Sequence, residues 1–422
     1  MKPHFPQPFS ESHQPSQSGE SFSEAFLDTS SVRDSLPEQY RTHFDELRSG
    51  ILAFCKEFGI PVETLRSKEA FGAELTSKKI PPERMAEVVS LFARLEHLVT
   101  NKEPFREKTS EALEYADRLY HLKEQYTSQA ELLERVGILK EGVITGIDGH
   151  EYSIPTLEQI AQRLYEQREE LETKHDQGFS KILLVPFGMS LDALCETLKQ
   201  FLLFYKQFHP DFDLDITQPL WAWEGYKGAD IGDPPKIVYN PKSFDPSHHE
   251  GQTKVEILEA QAENPDSSFP GWRIHLLQPS DPSDQESKGF APIPRQGQGT
   301  TNGEETPRPS LEAGKSPNDY LSILQKAQDN PDSPYFQESG LTPEDWILAF
   351  ITHLQETGQP LDDYQNNEES IAYLTGAFFP SIDGSAFVPC AYWRRHDRRV
   401  RLFACVLRDR GGTVGVRSSV IV

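Results

Sequence analysis

The sequence predicts an α+β chain, with a helical region over 36–176 followed by a mixed helix-and-strand domain over 177–422. Three observations carry this reading. Before about residue 176, apolar side chains recur at helical spacing within charged segments. Beyond it, short apolar runs such as Lys181–Pro186 and Gly271–Leu277 are bounded by turn residues, which is the pattern of strands. The final stretch, Val388–Val422, holds two β-branched and aromatic runs around a middle of unusual composition.

Residues 1–35 are rich in Ser, Gln, Pro and His and poor in large aliphatics, so a disordered tail is expected. A helix is expected from near Pro37. Ser35 is its candidate cap, Tyr40, Phe44, Leu47, Ile51, Phe54 and Phe58 form its stripe, and Gly59 with Pro61 ends it. Pro81–Pro82–Glu83 opens a second helix to about Val99, with Leu91, Leu95 and Leu98 apolar. A third spans about Pro104–Val136 through Ala112, Leu119, Leu122 and Leu132. Gly142–Ile154 reads as a hairpin and Thr156–Lys174 as a further charged helix. Long amphipathic helices with short joins suit a bundle or arm. This half reads equally as a partner-docking module and as a structural or oligomerising arm.

In the second domain, the strand Lys181–Pro186 precedes a helix that starts at Ser190 or Asp192 and carries Leu191, Leu194, Leu198, Leu202 and Phe208. Pro219–Tyr226 is dense in aromatics and is assigned to core packing ahead of ligand stacking. Ile237–Tyr239 reads as a strand. His248–His249 is a loop pair with no further ligand at metal spacing. Pro279–Gly314 is rich in Pro, Gly, Ser and Gln without periodicity, so a long disordered insertion over 279–314 is expected inside the domain. Two helices follow, each opened by a cap and a proline, Ser316–Pro317 and Thr342–Pro343. Trp346, Ile347, Phe350, Ile351 and Leu354 form the core stripe of the second, and Gly358 closes it.

The chain has 422 residues, enough for two or three domains with sizeable cores. Its formal charge is −24, which disfavours general nucleic-acid binding. From Cys390 onward, eight Arg stand against two Asp, so the acidity lies entirely before that point and the terminus is locally basic. Cys55, Cys195, Cys390 and Cys405 have no metal-ligand spacing and imply no disulfide framework, though Cys390 and Cys405 can face each other across a hairpin. No metal or cofactor is expected. The absence of an apolar leader or spanning segment makes the cytoplasm the default compartment, with no membrane partner.

The terminal stretch is the most informative. Phe387–Trp393 reads as a strand, and Val414, Val416, Ser418, Val420 and Val422 fall on one face of another. Between them, Arg394–Thr413 contains no Lys, Glu, Gln, Met or Trp, and every residue type in it has a codon ending in a pyrimidine. Val400, Leu402, Ala404 and Val406 alternate toward a core, which turns Arg399, Arg401, Phe403 and Cys405 outward. The pattern alone fits an ordinary edge hairpin with a basic face equally well.

The framework Ala391-Tyr392-Trp393-x-x-x-Asp397-Arg398-x-Val400-x-Leu402, with the ending Val414–Val422, resembles the variable proteins of diversity-generating retroelements. In that family a reverse transcriptase copies a template repeat with errors at adenines, and the copy replaces the 3′ end of the target gene. The resemblance is specific over the last 35 or so residues and weaker back to Ser316. It implies a C-type-lectin-like fold for 177–422 and a diversified ligand-binding face over 392–413. The chain departs from the family in carrying Arg where Asn, Asp and Tyr are common, and Arg408–Gly412 where an Asp-Pro type of turn is common.

Resemblance and alternation together make Tyr392, Arg394, His396, Arg399, Arg401, Phe403, Arg408, Arg410 and Thr413 the candidate contacts. Trp393, Val400, Leu402, Val416 and Val420 are read as scaffold, and Arg417 as a buried or semi-buried arginine bonded to loop carbonyls, with a surface role as the alternative. The implied function is display of a variable surface to a protein ligand, without catalysis, since Arg and aromatic side chains anchor interfaces. One alternative is an oxidoreductase like the formylglycine-generating enzymes, which share the fold but need a closely placed cysteine pair, whereas Cys390 and Cys405 are far apart in sequence. The other is an Arg-rich nucleic-acid binder, whose affinity would fall steeply with salt.

Overall fold

The computed structural model describes residues 29–37, 40–66, single positions between 71 and 99, and 107–422 apart from 265–267, 283, 285–286, 365–369 and 383–384. The chain is α+β and divides into two compact units, 1–110 and 111–422. This moves the expected boundary. The helices over 111–176 belong to the compact unit that holds the strands, because their apolar faces share its core: Leu132, Leu133, Ile160 and Leu164 are buried in one cluster with Ile182, Leu184 and Ile274.

In the first unit, the expected tail lies outside the described residues as far as 28. Thr29–Asp34 is a short helix (α1), and Val32 and Leu36 are buried, which the composition did not suggest. Helix α2, Arg41–Phe58, buries Phe44, Leu47, Ile51 and Phe54 and ends at Gly59 with φ 62°, a conformation that suits glycine. Its N-cap position is Tyr40 rather than Ser35, whose hydroxyl donates to Val32 O at 2.7 Å. Of the second expected helix, Val88, Leu95 and Leu98 are helical and buried against the same apolar cluster.

The larger unit begins with two helices where one was expected, α3 (Glu107–Tyr120) and α4 (Leu122–Arg135), separated by His121 at φ 46°. The next expected helix is also divided at Gln167, into α5 (Leu157–Glu166) and α6 (Arg168–Asp176). Strands β1 (Val143–Thr145) and β2 (Glu151–Ser153) form the expected hairpin.

Strand β3 (Lys181–Val185) is buried at all five residues. It leads through Ser190, whose side chain caps the helix, into α7 (Leu191–Phe208). Short strands β4 (Leu220–Ala222) and β5 (Val238–Tyr239) follow, then α8 (Lys254–Glu263) and the fully buried β6 (Arg273–Leu277). Strands β7 (Thr301–Asn302) and β8 (Arg308–Pro309) pair in a small hairpin. Helix α9 (Pro317–Gln328), β9 (Glu338–Gly340) and α10 (Pro343–Thr357) come next, both helices opening on capping boxes as their sequences predict. Seven strands close the chain: β10 (Asp363–Tyr364), β11 (Ile371–Tyr373), β12 (Ala377–Ile382), β13 (Ser385–Arg394), β14 (Arg399–Val406), β15 (Val414–Val416) and β16 (Ser418–Ile421).

Two sheets organise this unit. One runs β3-β6-β16-β9. Its β3 edge is satisfied by two helix glutamines: Gln125 bonds Ser180 O and Ile182 N, and Gln129 bonds Ile182 O and Leu184 N. The other is built around the ten-residue β13, which pairs with β10, β11, β12 and β14, while β4 extends the β14 side and β15 the β11 side. Helix α10 packs against both β3 and β13, and α7 against α10. The terminal β-branched run is therefore two strands in two sheets, and the chain crosses between them at Arg417.

The expected disordered insertion over 279–314 is instead packed down at its described residues. Phe290, Ile293, Leu311 and Ala313 are buried. Phe290 N donates to His353 Nδ1 at 2.9 Å, Gly289 N to Glu356 Oε2 at 2.7 Å, and Ser370 Oγ to Ile293 O at 2.8 Å. The segment lacks periodicity because its bonds run across its own turns and to distant elements rather than at a fixed helical or strand spacing.

Candidate ligand-binding face

Strands β13 and β14 pair antiparallel, so directly opposed side chains share a face. One face carries Ala391, Trp393, Val400 and Leu402, all buried in the main core; Trp393 rests near Phe212 and Phe350. The other carries Val388, Cys390, Tyr392 and Arg394 opposite Cys405, Phe403, Arg401 and Arg399. This second face changes character along its length. At the Val388 end it is covered by Phe244, Tyr320, Leu321 and Leu324, and at the Arg394 end it opens to solvent.

The covered end corrects part of the alternation. Cys405, expected outward, is buried beneath the α9 cluster. Val406, expected inward, is 54 % exposed, and Ala404 is half-buried. β4 pairs beside β14 only as far as Leu402, so the last residues of β14 form a sheet edge, and it is the Cys405 face there that the α9 cluster covers.

The open end is a row of side chains across four strands, about 14 Å wide at ordinary strand spacing. Trp221 of β4 opposes Arg401, with the guanidinium 5.3 Å from the ring centre. Arg401 opposes Tyr392, whose ring meets Phe403 edge-on at 5.5 Å and Tyr364 at 5.6 Å. Tyr392 itself is 7 % exposed, so it forms the floor of the face rather than a free contact. Arg394, Arg399, Arg401 and Phe403 are half-buried and His396 is exposed at the tip of the hairpin.

The arginines of this end are not an unpaired basic patch. Asp397 lies 3.4 Å from Arg394 and 3.8 Å from Arg399, and also accepts from Arg401. Burial alone would push the Asp397 carboxyl up, but His396 and Arg401 hold it below its ordinary value. Asp363 takes Arg395, and Asp213 stands 3.3 Å from Arg398. Five guanidinia thus share three carboxylates, and the local basicity expected from composition is largely met within the face.

Arg408, Arg410 and Thr413 lie in the separate loop between β14 and β15. Tyr373 opposes Cys390, so it shares the Tyr392 face, and its hydroxyl donates to Asp409 O at 3.1 Å. The loop therefore crosses the same face at its covered end. Arg408 is exposed, Arg410 reaches Asp319 at 3.0 Å, and Thr413 O accepts from Ile371 N at 2.8 Å. Arg417 is buried and donates to Ala291 O at 2.8 Å, and it also pairs with Asp362 at 3.1 Å. Val416 and Val420 are buried.

Two constellations bear on catalysis. Cys390 and Cys405, distant in sequence, are diagonal neighbours in space and both are free thiols. Burial, and then the bond between the two thiols, pushes Cys390 well above the ordinary thiol range, which makes it a poor nucleophile. Ser419 Oγ is 2.9 Å from His275 Nδ1, and His275 Nε2 is 3.1 Å from Asp345 Oδ1, off the hydrogen-bond line. Sequence order gave no hint of this chain. All three residues are buried, and Asp345 also accepts from Thr342 N in the α10 cap. It links β16, β6 and α10 as scaffold. Among the described residues no group of three or more His, Cys, Asp or Glu is placed to hold a metal ion, and no helix is long and apolar enough to cross a membrane.

Trp221, Tyr364 and the supporting Asp363 join the face from outside the terminal stretch. Only the aromatic density of Pro219–Tyr226 signals Trp221, which is half-buried beside Arg401; Trp223, against Phe379 and Phe387, packs with the core as expected. No family model, curated protein or solved structure matches this chain.

Proposed function

We propose that this chain is a ligand-binding display protein whose residues over about 392–413 are diversified by a retroelement, and that it presents them on a C-type-lectin-like scaffold to a protein ligand. The observation that carries the reading is the division within one hairpin. Trp393, Val400 and Leu402 are buried in the main core, while Arg394, Arg399, Arg401 and Phe403 between them reach the opposite, open face. Exchangeable side chains on a rigid sheet are what a paratope requires, because a fixed core can then carry many surfaces. The aromatic floor of Tyr392, Tyr364 and Trp221 suits protein contact. Pairing of the arginines with Asp363 and Asp397 weighs against a polyanion, whose binding needs free cationic charge.

The locus tests this directly. A second copy of the segment encoding roughly Tyr392–Val416 is expected close to the gene, beside a reverse-transcriptase gene. Mismatches between the copies should fall almost only where the distant copy has adenine, at codons such as those of Arg394, His396, Arg399, Arg401 and Phe403. The Trp393 and Leu402 codons should agree. A locus without a repeat, or with mismatches spread over all four bases, would falsify the proposal.

A further inference from the structure

We propose that the cavity between the 278–311 segment and the Val416–Ser418 crossover binds a small oxyanion, a carboxylate or a phosphate ester, through Arg308 and Arg417. The cavity encloses about 260 Å³, near the lower end of small-ligand pockets. Amide and hydroxyl groups of Gln278, Gln298, Asn302 and Ser310 line it beside the two guanidinia.

The balance of charge points to an anion. Glu338 is fully buried and takes two buried cations: Lys174 Nζ at 2.9 Å, and Arg308 through Nε and Nη2 at 2.7 Å each. The remaining bonds of these cations go to neutral groups, Gln177, Pro334 O and Ser418 Oγ. Two positive charges thus stand against one negative charge, and buried charge is ordinarily balanced. The bonds of Arg308 to Glu338 and Ser418 use Nε and Nη2, which leaves Nη1 for a further acceptor.

Arg417 contributes a second positive charge to the lining. Its Nη groups bond Asp362 and Ala291 O, but its Nε is buried without a partner. Burial pushes the Asp362 carboxyl up despite Arg417, which lessens the compensation that Asp362 gives. An oxyanion bonded to Arg308 in this cavity places its charge beside both arginines. The formal charge of −24 repels anions at long range, so such a site has to be made locally, and here two arginines more than nine-tenths buried make it. The lining residues lie outside 392–413, so the site is independent of the variable face.

The test is calorimetric titration of the full chain with inorganic phosphate, with acetate and with neutral glycerol at constant ionic strength, alongside thermal melts. Saturable one-site binding of phosphate or acetate but not glycerol is expected, with a melting temperature that rises with anion concentration. The stronger of the two anions identifies the source, ester or carboxylate. Arg308→Lys keeps a cation on Glu338 and removes Nη1, and should weaken binding about tenfold or more. Asn302→Trp, directly opposite Arg308 across the β7–β8 hairpin, fills the cavity beside that guanidinium and should abolish binding, and a normal melt shows that the ion cluster is intact. The proposal is overturned if the folded chain binds neither anion at millimolar concentration, if glycerol binds equally well, or if the two variants bind like the parent.

Discussion

Arg417 Nη2 lies 3.1 Å from Asp362 Oδ1, at the point where the C-terminal chain leaves one sheet and enters the other. Asp362 also accepts from Trp346 Nε1 at 2.8 Å, and its carbonyl accepts from Trp393 N at 3.0 Å. One carboxylate residue therefore joins α10, the centre of the β13 sheet and the crossover. Removing one partner of a buried pair leaves the other charge uncompensated, so Arg417→Ala should cost about 3–5 kcal/mol in urea unfolding. Arg417→Met with Asp362→Leu should recover part of that loss. If the single variant melts like the parent, the crossover is held by backbone pairing alone.

His353 makes the fold sensitive to acid. Its Nδ1 accepts from Phe290 N, and its ring stacks on Phe290 at 6.3 Å, so the bonded form is neutral. Burial, with Arg417 and Lys181 nearby, pushes its pKa down to about 4 from 6.5. Between these values the unfolded chain binds a proton that the folded chain does not. Stability is therefore fully present above pH 6.5 and is lost as pH falls toward 4, by roughly 3 kcal/mol from this group. His353→Gln, which offers a neutral acceptor, should flatten the melting-temperature profile over that window. An unchanged profile would assign the acid sensitivity elsewhere.

The same contacts set the behaviour of the 289–314 segment. Its anchors, including Arg308 to Glu338 and Arg417 to Ala291 O, are long-range and buried. Brief proteinase K digestion of the native chain should spare this segment while sites elsewhere are cut. Early cleavage inside it would mean that these anchors open locally at little cost.

What the sequence made legible follows how far each signal reaches. Ser190, Ser316 and Thr342 announce their helices because a cap bonds only three residues onward. The scaffold parity of Val400 and Leu402 was legible because alternation is local. Cys405 and Val406 keep the alternation of faces but reverse its burial, because the cover at that end comes from α9, which the terminal stretch does not encode. Gln125 and Gln129 look like helix surface, yet they close the edge of a strand more than fifty residues away. The order of the 279–314 segment is not legible for the same reason: its partners His353, Glu356 and Ser370 lie far along the chain.

The division between face and scaffold can be measured without knowing the ligand. Replacing Arg399, Arg401 and Phe403 together with Ser, Asn and Tyr removes two of the three guanidinia around Asp397 and leaves Arg394 and His396 beside it. The Arg399 and Arg401 side chains keep 19 % and 24 % of their surface exposed at the rim, and Arg394 and His396 stay to pair Asp397, so the net loss is small. The triple variant should therefore lie within about 1 kcal/mol of the parent. Leu402→Ala, on the opposite face of the same strand, removes a fully buried side chain and should cost about 2–5 kcal/mol. Thermal melts of the two proteins decide between outcomes. Equal, large losses would mean that the arginine network is part of the fold, and a surface that holds the fold together cannot be exchanged freely. A large loss for Leu402→Ala alone is the signature of a hairpin whose two faces answer to different demands.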